Sequence, residues 1–180
     1  MGLVVCLSGR IGSGKSSVAT ALSDQLAWPR AGFGDYLRQE LTRLGGDPSS
    51  RQALQDLGQS LVEKDAAAFC LAVVSDVGFL PGGDLVIDGV RHANIQHCLR
   101  RVVAPSACKL IFLAADEEER LRRVAQRPLG EEDFARAEGH AAEADMTAEL
   151  PMMADKIVDG SQPIETVLAE CLSTVRGWKN

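Results

Sequence analysis

Short apolar runs alternate along the chain with longer stretches whose apolar positions recur every three to four residues. The runs are LVVCL (3–7), LVID (85–88), KLIFLA (109–114) and DKIVD (155–159), with a weaker one, PRAGF, at 29–33. The longer stretches cover 15–27, 35–45, 50–79 (one helix or two), 93–103, 116–126, 131–148 and 163–177. Runs that are apolar throughout suit strands covered on both faces, as in a parallel sheet; a strand with one wet face would alternate. Strand and helix in turn predict a doubly wound α/β fold. The glycine- and proline-bearing stretches LGGDPSS (44–50) and FLPGGD (79–84) read as loops within one unit, not as linkers. The whole chain, 1–180, is therefore expected to form a single domain.

Composition narrows the function. An apolar content of 46% and a charged content of 24% are those of a soluble globular protein. No apolar run approaches the roughly 18 residues that cross a bilayer. Met1-Gly2 leads straight into a strand-like run instead of a basic segment and an apolar core, so a cytoplasmic location without a membrane partner is expected. The net charge of −6 weighs against broad nucleic-acid binding, which needs a basic face. It leaves room for a small phosphorylated ligand held by a few focused arginines. The five cysteines are odd in number and have no CxxC spacing; Cys6 and Cys108 fall in apolar runs and read as core residues. A zinc site is not expected.

The strongest local signal follows the first strand. Gly9-Arg10-Ile11-Gly12-Ser13-Gly14-Lys15-Ser16 fits G-x-x-x-x-G-K-[ST] at every fixed position, with a strand pattern before it and a helical one after it. Gly9, Gly12 and Gly14 let the backbone turn and present successive N–H groups, including those of Ser13 and Ser17, to phosphate oxygens. The helix start adds its positive dipole end. Lys15 is then the cation for the β- and γ-phosphates, and the Ser16 hydroxyl a ligand for Mg²⁺. ATP and Mg²⁺ are the expected cofactors.

A second carboxylate and a set of arginines extend the picture. Asp88 ends the LVID run and is a candidate to assist the metal; Asp116, after LIFLAA, is its rival, although the run DEEE looks more like the first turn of a helix. A nucleotide switch needs one phosphate pocket, whereas a kinase for a phosphorylated acceptor needs a second. The planar fork of arginine suits that second pocket. Arg38 lies three residues after Asp35, on nearly the same helix face. Arg91 follows the end of the Asp88 strand, where ligands of open α/β sheets gather. Arg123 and Arg127 are four apart on one helical face. Of the histidines, His92 adjoins Arg91 and reads as a helix-start residue, while His97 and His140 carry no spacing signal.

Taken in order, these segments resemble the P-loop nucleoside monophosphate kinase superfamily. FGDYLRQEL is similar to the adenylate kinase segment Gly-Asp-x-Leu-Arg, which implies that Arg38, with Asp35 beside it, contacts the acceptor phosphate. VIDGVR resembles Asp-Gly-Phe-Pro-Arg shortened by one residue, implying a metal-side Asp88 and an acceptor-binding Arg91. RVAQR resembles the Arg-x-x-x-Arg that opens the lid, implying Arg123 against the ATP base and Arg127 at the phosphates. ADKIVDGSQPIETVLAE is similar to the last strand, loop and helix of dephospho-CoA kinases, where the loop, here Gly160-Ser161-Gln162, packs on adenine. RQALQDLGQSL resembles a stretch of phage-type deoxynucleoside monophosphate kinases and adds Arg51 and Gln55 to the acceptor side. The resemblance implies a P-loop NTPase three-layer α/β/α fold with a five-stranded parallel sheet. It also implies an acceptor-binding helical insert at about 35–80 and a short helical lid at about 123–145.

The implied activity is transfer of the γ-phosphate of ATP to a small molecule, foremost a ribo- or deoxynucleoside monophosphate. In that reading Lys15, Arg123 and Arg127 stabilise the moving phosphoryl group. A hydroxyl acceptor, as in dephospho-CoA kinases, would instead make Asp35 the candidate base. A non-kinase ATPase or nucleotide switch would keep the phosphate loop and leave Arg38 and Arg91 without a purpose.

Overall fold

Six consecutive residues, none of them exposed, form the central strand. β1 (Leu3–Ser8) is buried along its whole length, and its side chains part by the two-residue period of a strand. Val4 and Cys6 enter one apolar cluster; Leu3, Val5 and Leu7 enter another on the opposite face. The computed structural model describes residues 1–126 and 148–180. After β1 come α1 (Lys15–Leu26), β2 (Arg30–Gly32), α2 (Phe33–Arg43), α3 (Arg51–Asp76) and β3 (Leu85–Asp88). Then follow α4 (Ala93–Val102), β4 (Ala107–Ala114), α5 (Glu117–Ala125), α6 (Glu149–Met153), β5 (Lys156–Asp159) and α7 (Ile164–Lys179).

The five strands form one parallel sheet in the order β2-β3-β1-β4-β5. Leu7 of β1 lies opposite Asp88 of β3 and Ile111 of β4, and Gly32 of β2 lies opposite Asp88. The chain leaves β1 for β2 on one side of the sheet, whereas β4 leads to β5 on the other. The loops at the carboxyl ends therefore diverge around β1, which opens a crevice there.

Helices cover both faces. Val18 and Leu22 of α1 and Val167, Cys171 and Val175 of α7 pack on Leu3, Val5 and Leu7. Phe69, Cys70 and Val73 of α3, with Ile95 and Leu99 of α4, pack on Val4, Cys6 and Ile87. Burying one Val, Leu or Ile completely is worth about 1.5–3 kcal/mol. An exposed pair such as Arg122–Glu119 is worth about 0–1 kcal/mol. The two apolar clusters, not the surface ion pairs, hold the three layers together.

Differences from the sequence expectation are local. The helix expected at 50–79 is α3, and it is broken at Asp65, whose φ of −165° and ψ of 93° are not helical. Ser50 caps the first half by accepting from the Ala53 amide, and the Asp65 carboxylate caps the second by accepting from the Ala68 amide at 2.9 Å. β4 begins at Ala107, two residues before the expected run. The short α6 was not expected; its Pro151 sits in the first turn, where a missing N–H has no helical acceptor to lose. The expected helix at 131–148 falls almost wholly outside the described residues. So do most of the expected lid, Arg127 and His140. Among the described residues no helix is long and apolar enough to cross a membrane.

All five cysteines are free thiols. Burial pushes Cys70 and Cys171 up to about 12, and Cys6 is raised by its hydrogen bond with Cys108 and by burial. The thiolate is the reactive form. Cys70 and Cys171 are therefore expected to resist iodoacetamide in the native protein at about pH 8, and to react once denaturant is added. Peptide mass spectrometry reads the result; fast native labelling of either would contradict it.

Candidate active site

The phosphate loop closes on backbone conformations that side chains disfavour. Gly12 and Gly14 have φ of 84° and 86°, and Gly14 is the N-cap of α1 with no side chain to cap the first turn. The first amides of a helix have no intrahelical acceptor, so the start of α1 offers N–H groups to an anion. The Ser13 hydroxyl is buried and has no hydrogen-bond partner, and Lys15 is buried beside it at 8% exposure. Behind the loop lies Arg120, a guanidinium only 1% exposed, whose Nη1 donates to the Ile11 carbonyl at 3.2 Å.

Two clefts meet at this loop and share Gly14. The first, about 460 Å³, is lined by Lys15, Ser16, Asp35, Arg38, Arg51, Gln55, Asp88 and Arg91, among others. These are the acceptor-side and metal-side residues expected from sequence, brought into one cavity from α1, α2, α3, β3 and the turn after β3. Its size falls within the roughly 300–1,000 Å³ of small-ligand sites. The second cleft, about 550 Å³, is lined by Ser13, Ser17, Arg123, Gly160, Ser161 and Gln162, among others.

Asp88 is set by the end of its strand. Gly89, at φ 89°, turns the chain sharply, and the Gly89 and Val90 amides donate to the Leu7 carbonyl. The Ser8 hydroxyl donates to the Val90 carbonyl at 2.7 Å and fixes the turn from the other side. Asp88 is left 8% exposed, with Oδ1 buried and without a hydrogen-bond partner. Its Oδ2 lies 3.9 Å from Arg30 Nη1. A buried, unpartnered carboxylate oxygen beside the Ser16 cleft fits a hydrated Mg²⁺. Asp116 serves the backbone instead, capping α5 by accepting from the Glu119 amide at 2.9 Å, as the acidic run implies.

Asp35 sits between two arginines. Its Oδ2 is 3.0 Å from Arg30 Nη2 and its Oδ1 accepts from Arg38 Nη1 at 3.1 Å. Both oxygens are thus engaged by guanidinium groups. Arg30 does not stand out in the sequence, because its contacts depend on β2 pairing with β3. The only local signal is a charged residue within a short apolar run.

Arg123 lines the second cleft together with Gly160 and Gln162. Its Nε donates to Glu119 at 2.6 Å, its Nη1 to the carbonyls of Ser13 and Gly160 at 3.3 and 2.7 Å, and its Nη2 to those of Ser161 and Gln162. It joins the phosphate loop to the loop after β5 through main-chain carbonyls. Arg122 and Arg123 together hold the Glu119 carboxyl down at about 2, from an ordinary value of 4.5. The favourable charge on Glu119 is complete above pH 4.5 and is lost only as pH falls towards 2, so this bracket does not titrate near neutrality. His92 is the N-cap residue of α4 and lines the first cleft.

Against known proteins, the model of the AAA domain family matches residues 5–144. The chain belongs to that family. Its fold is that of the small kinases of solved structure compared below. A UPF0200 protein of Aeropyrum pernix is 30% identical over 69% of this chain and 65% of its own length. A cytidylate kinase of Pyrobaculum arsenaticum is 31% identical over 69% of this chain and 60% of its own. The RNase adapter protein RapZ of Klebsiella pneumoniae is 28% identical over 96% of this chain and 52% of its own. The chain thus spans about half to two thirds of the length of these curated relatives.

Among solved structures, a gluconokinase from Sinorhizobium meliloti superposes with a TM-score of 0.60 at 20% identity, covering 98% of this chain and 93% of its own. A shikimate kinase from Acinetobacter baumannii, solved with shikimate, gives 0.63 at 14% identity, covering 99% and 96%. At these identities the likeness is one of fold, with three α/β/α layers on a five-stranded parallel sheet.

Proposed function

We propose that the protein transfers the γ-phosphate of ATP to a nucleoside monophosphate. The observation that carries this reading is the first cleft, where Arg38, Arg51 and Arg91 line the same cavity as Lys15 and Ser16. A hydrolytic switch has no use for a second arginine-lined pocket opposite its phosphate loop. The cytidylate kinase relative supports the same acceptor class.

In this reading ATP lies with its base in the second cleft, near Gly160 and Gln162, and its phosphates along residues 9–17. Arg38 and Arg91 hold the acceptor's phosphate in line with the γ-phosphate. An acceptor phosphate oxygen attacks the γ-phosphorus as the bond to the β–γ bridging oxygen breaks, and ADP leaves. The attacking oxygen is already ionised, so no base is needed, which agrees with both Asp35 oxygens being paired. Ser16 and Asp88 would hold Mg²⁺, which supplies positive charge against the phosphates when bound. Lys15 adds a fixed cation where negative charge develops on the leaving oxygen.

The RapZ relative favours a second reading, a nucleotide-binding protein without an acceptor. ADP release with Mg-ATP against a panel of ribo- and deoxynucleoside monophosphates and dephospho-CoA separates the two. Fast release is expected only with a monophosphate. Arg38→Ala and Arg91→Ala should each raise the acceptor KM about tenfold to a hundredfold while changing the KM for ATP much less. Slow release indifferent to every acceptor would leave the second reading standing.

A further inference from the structure

An arginine to which the reaction above gives no part stands between Asp35 and Asp88. Arg30 opens β2, on the strand face of Gly32, and Gly32 lies opposite Asp88 in β3. Its two terminal nitrogens divide between two anions. Nη2 lies 3.0 Å from Asp35 Oδ2, and Nη1 lies 3.9 Å from Asp88 Oδ2. Gly32 keeps open the space in which they meet, since a β-carbon there would come within 2.5 Å of Asp35 Oδ2 and 3.2 Å of Arg30 Nη1. The other Asp35 oxygen accepts from Arg38. Charge of alternating sign thus runs from Asp88 through Arg30 and Asp35 to Arg38, and all four residues line the first cleft.

The two contacts of Arg30 are unequal. The one with Asp35 is within hydrogen-bonding distance, whereas the one with Asp88 acts by charge alone. Charge still counts there. The Asp88 side chain is 11% exposed and that of Arg30 29%, so water and salt screen the pair less than they screen a surface pair. The Arg30 guanidinium and a divalent ion held by Asp88 therefore draw on one carboxylate charge. Asp35 limits how closely Arg30 approaches, because it holds the other nitrogen.

We propose that Arg30 is a positioning residue that governs how strongly Asp88 attracts the metal, and that Asp35 tempers it by holding the guanidinium back. The proposal rests on the metal role given to Asp88 above. It also links the metal to the acceptor. An anion that draws Arg38 off Asp35 leaves Asp35 to Arg30 alone, which pulls the guanidinium from Asp88 and favours the metal. By reciprocity the metal favours that anion, so the two support each other's binding without touching.

The test reads nucleotide affinity, not turnover. Titration calorimetry with the non-hydrolysable analogue AMP-PNP, in Mg²⁺ and in EDTA, gives the factor by which the metal tightens binding. Arg30→Met keeps most of the stem and removes the charge, and should raise that factor about threefold to tenfold. Asp35→Asn, which gives Arg30 over to Asp88, should lower it about threefold. The double variant, Arg30→Met with Asp35→Asn, should match Arg30→Met within about twofold, because Asp35 then has no guanidinium to hold. Asp88→Asn should lower the factor and abolish its response to Arg30→Met. Thermal unfolding checks that every variant is folded. A factor unmoved by Arg30→Met, or an Asp35→Asn effect that persists undiminished in the double variant, overturns the proposal. An Asp88→Asn protein with the original factor overturns the metal role of Asp88 as well. None of these outcomes depends on which acceptor is phosphorylated, so the kinase reading is judged separately, by ADP release.

Discussion

Gly12→Ala is expected to abolish tight nucleotide binding and to lower the melting temperature. The residue sits at φ 84°, where an L side chain costs roughly 1–2 kcal/mol. The larger obstacle is space. A β-carbon on Gly12 would lie 2.6 Å from the Arg120 carbonyl oxygen and 3.0 Å from its Cα, closer than atoms of two main chains can approach. Arg120 cannot yield easily, because its side chain is buried and bonded to the Ile11 carbonyl one residue before Gly12. Relieving the clash therefore pushes the phosphate loop outward, away from the geometry in which its amides converge. With the strain added, a loss of about 3 kcal/mol is expected, or about 6–12 °C in a chain of this size. Thermal unfolding with and without Mg-ATP measures both parts. An unchanged melting temperature and a normal nucleotide-induced shift would sink the argument.

Lys15→Met should give the opposite profile, with stability close to the original and turnover down by about a thousandfold. Methionine keeps most of the aliphatic stem in its buried position and removes the ammonium group. Positive charge at a transferring phosphoryl group acts mainly in the transition state, so kcat should fall further than affinity for ATP. Steady-state ADP release and equilibrium binding of a non-hydrolysable ATP analogue separate the two quantities. A variant that keeps a tenth or more of its kcat would show that the loop binds phosphate without Lys15 taking part in the chemistry.

The middle of the sheet is legible in the sequence because its inner strands are buried on both faces. β1, β3 and β4 read as short apolar runs, and covering both faces is what a parallel sheet requires. α3 is legible in extent but not in shape. The signal for its break is present in Asp65, three residues before Ala68, but an alanine-rich stretch of high helix propensity surrounds it. On the site, residues at the ends of strands are readable because α/β sheets gather ligands there, which points to Asp88 and Arg91.

Residues whose contacts depend on tertiary register are not readable. Arg120, Arg122 and Arg123 stand within four positions of one charged helix. Only the docking of α5 against the phosphate loop makes the first a buried prop, the second an exposed ion-pair partner and the third a bracket.

Arg123 has a consequence for how substitutions in this protein combine. Ser13 and Gly160 are 147 positions apart in the chain, yet one guanidinium nitrogen is shared between their carbonyls. The two loops are therefore thermodynamically coupled, and their individual costs of displacement are not independent quantities. A change that shifts the loop after β5 already disrupts part of what a change in the phosphate loop would break. Double-mutant cycles across the two segments should then fall short of additivity, and removing the Arg123 side chain should restore it.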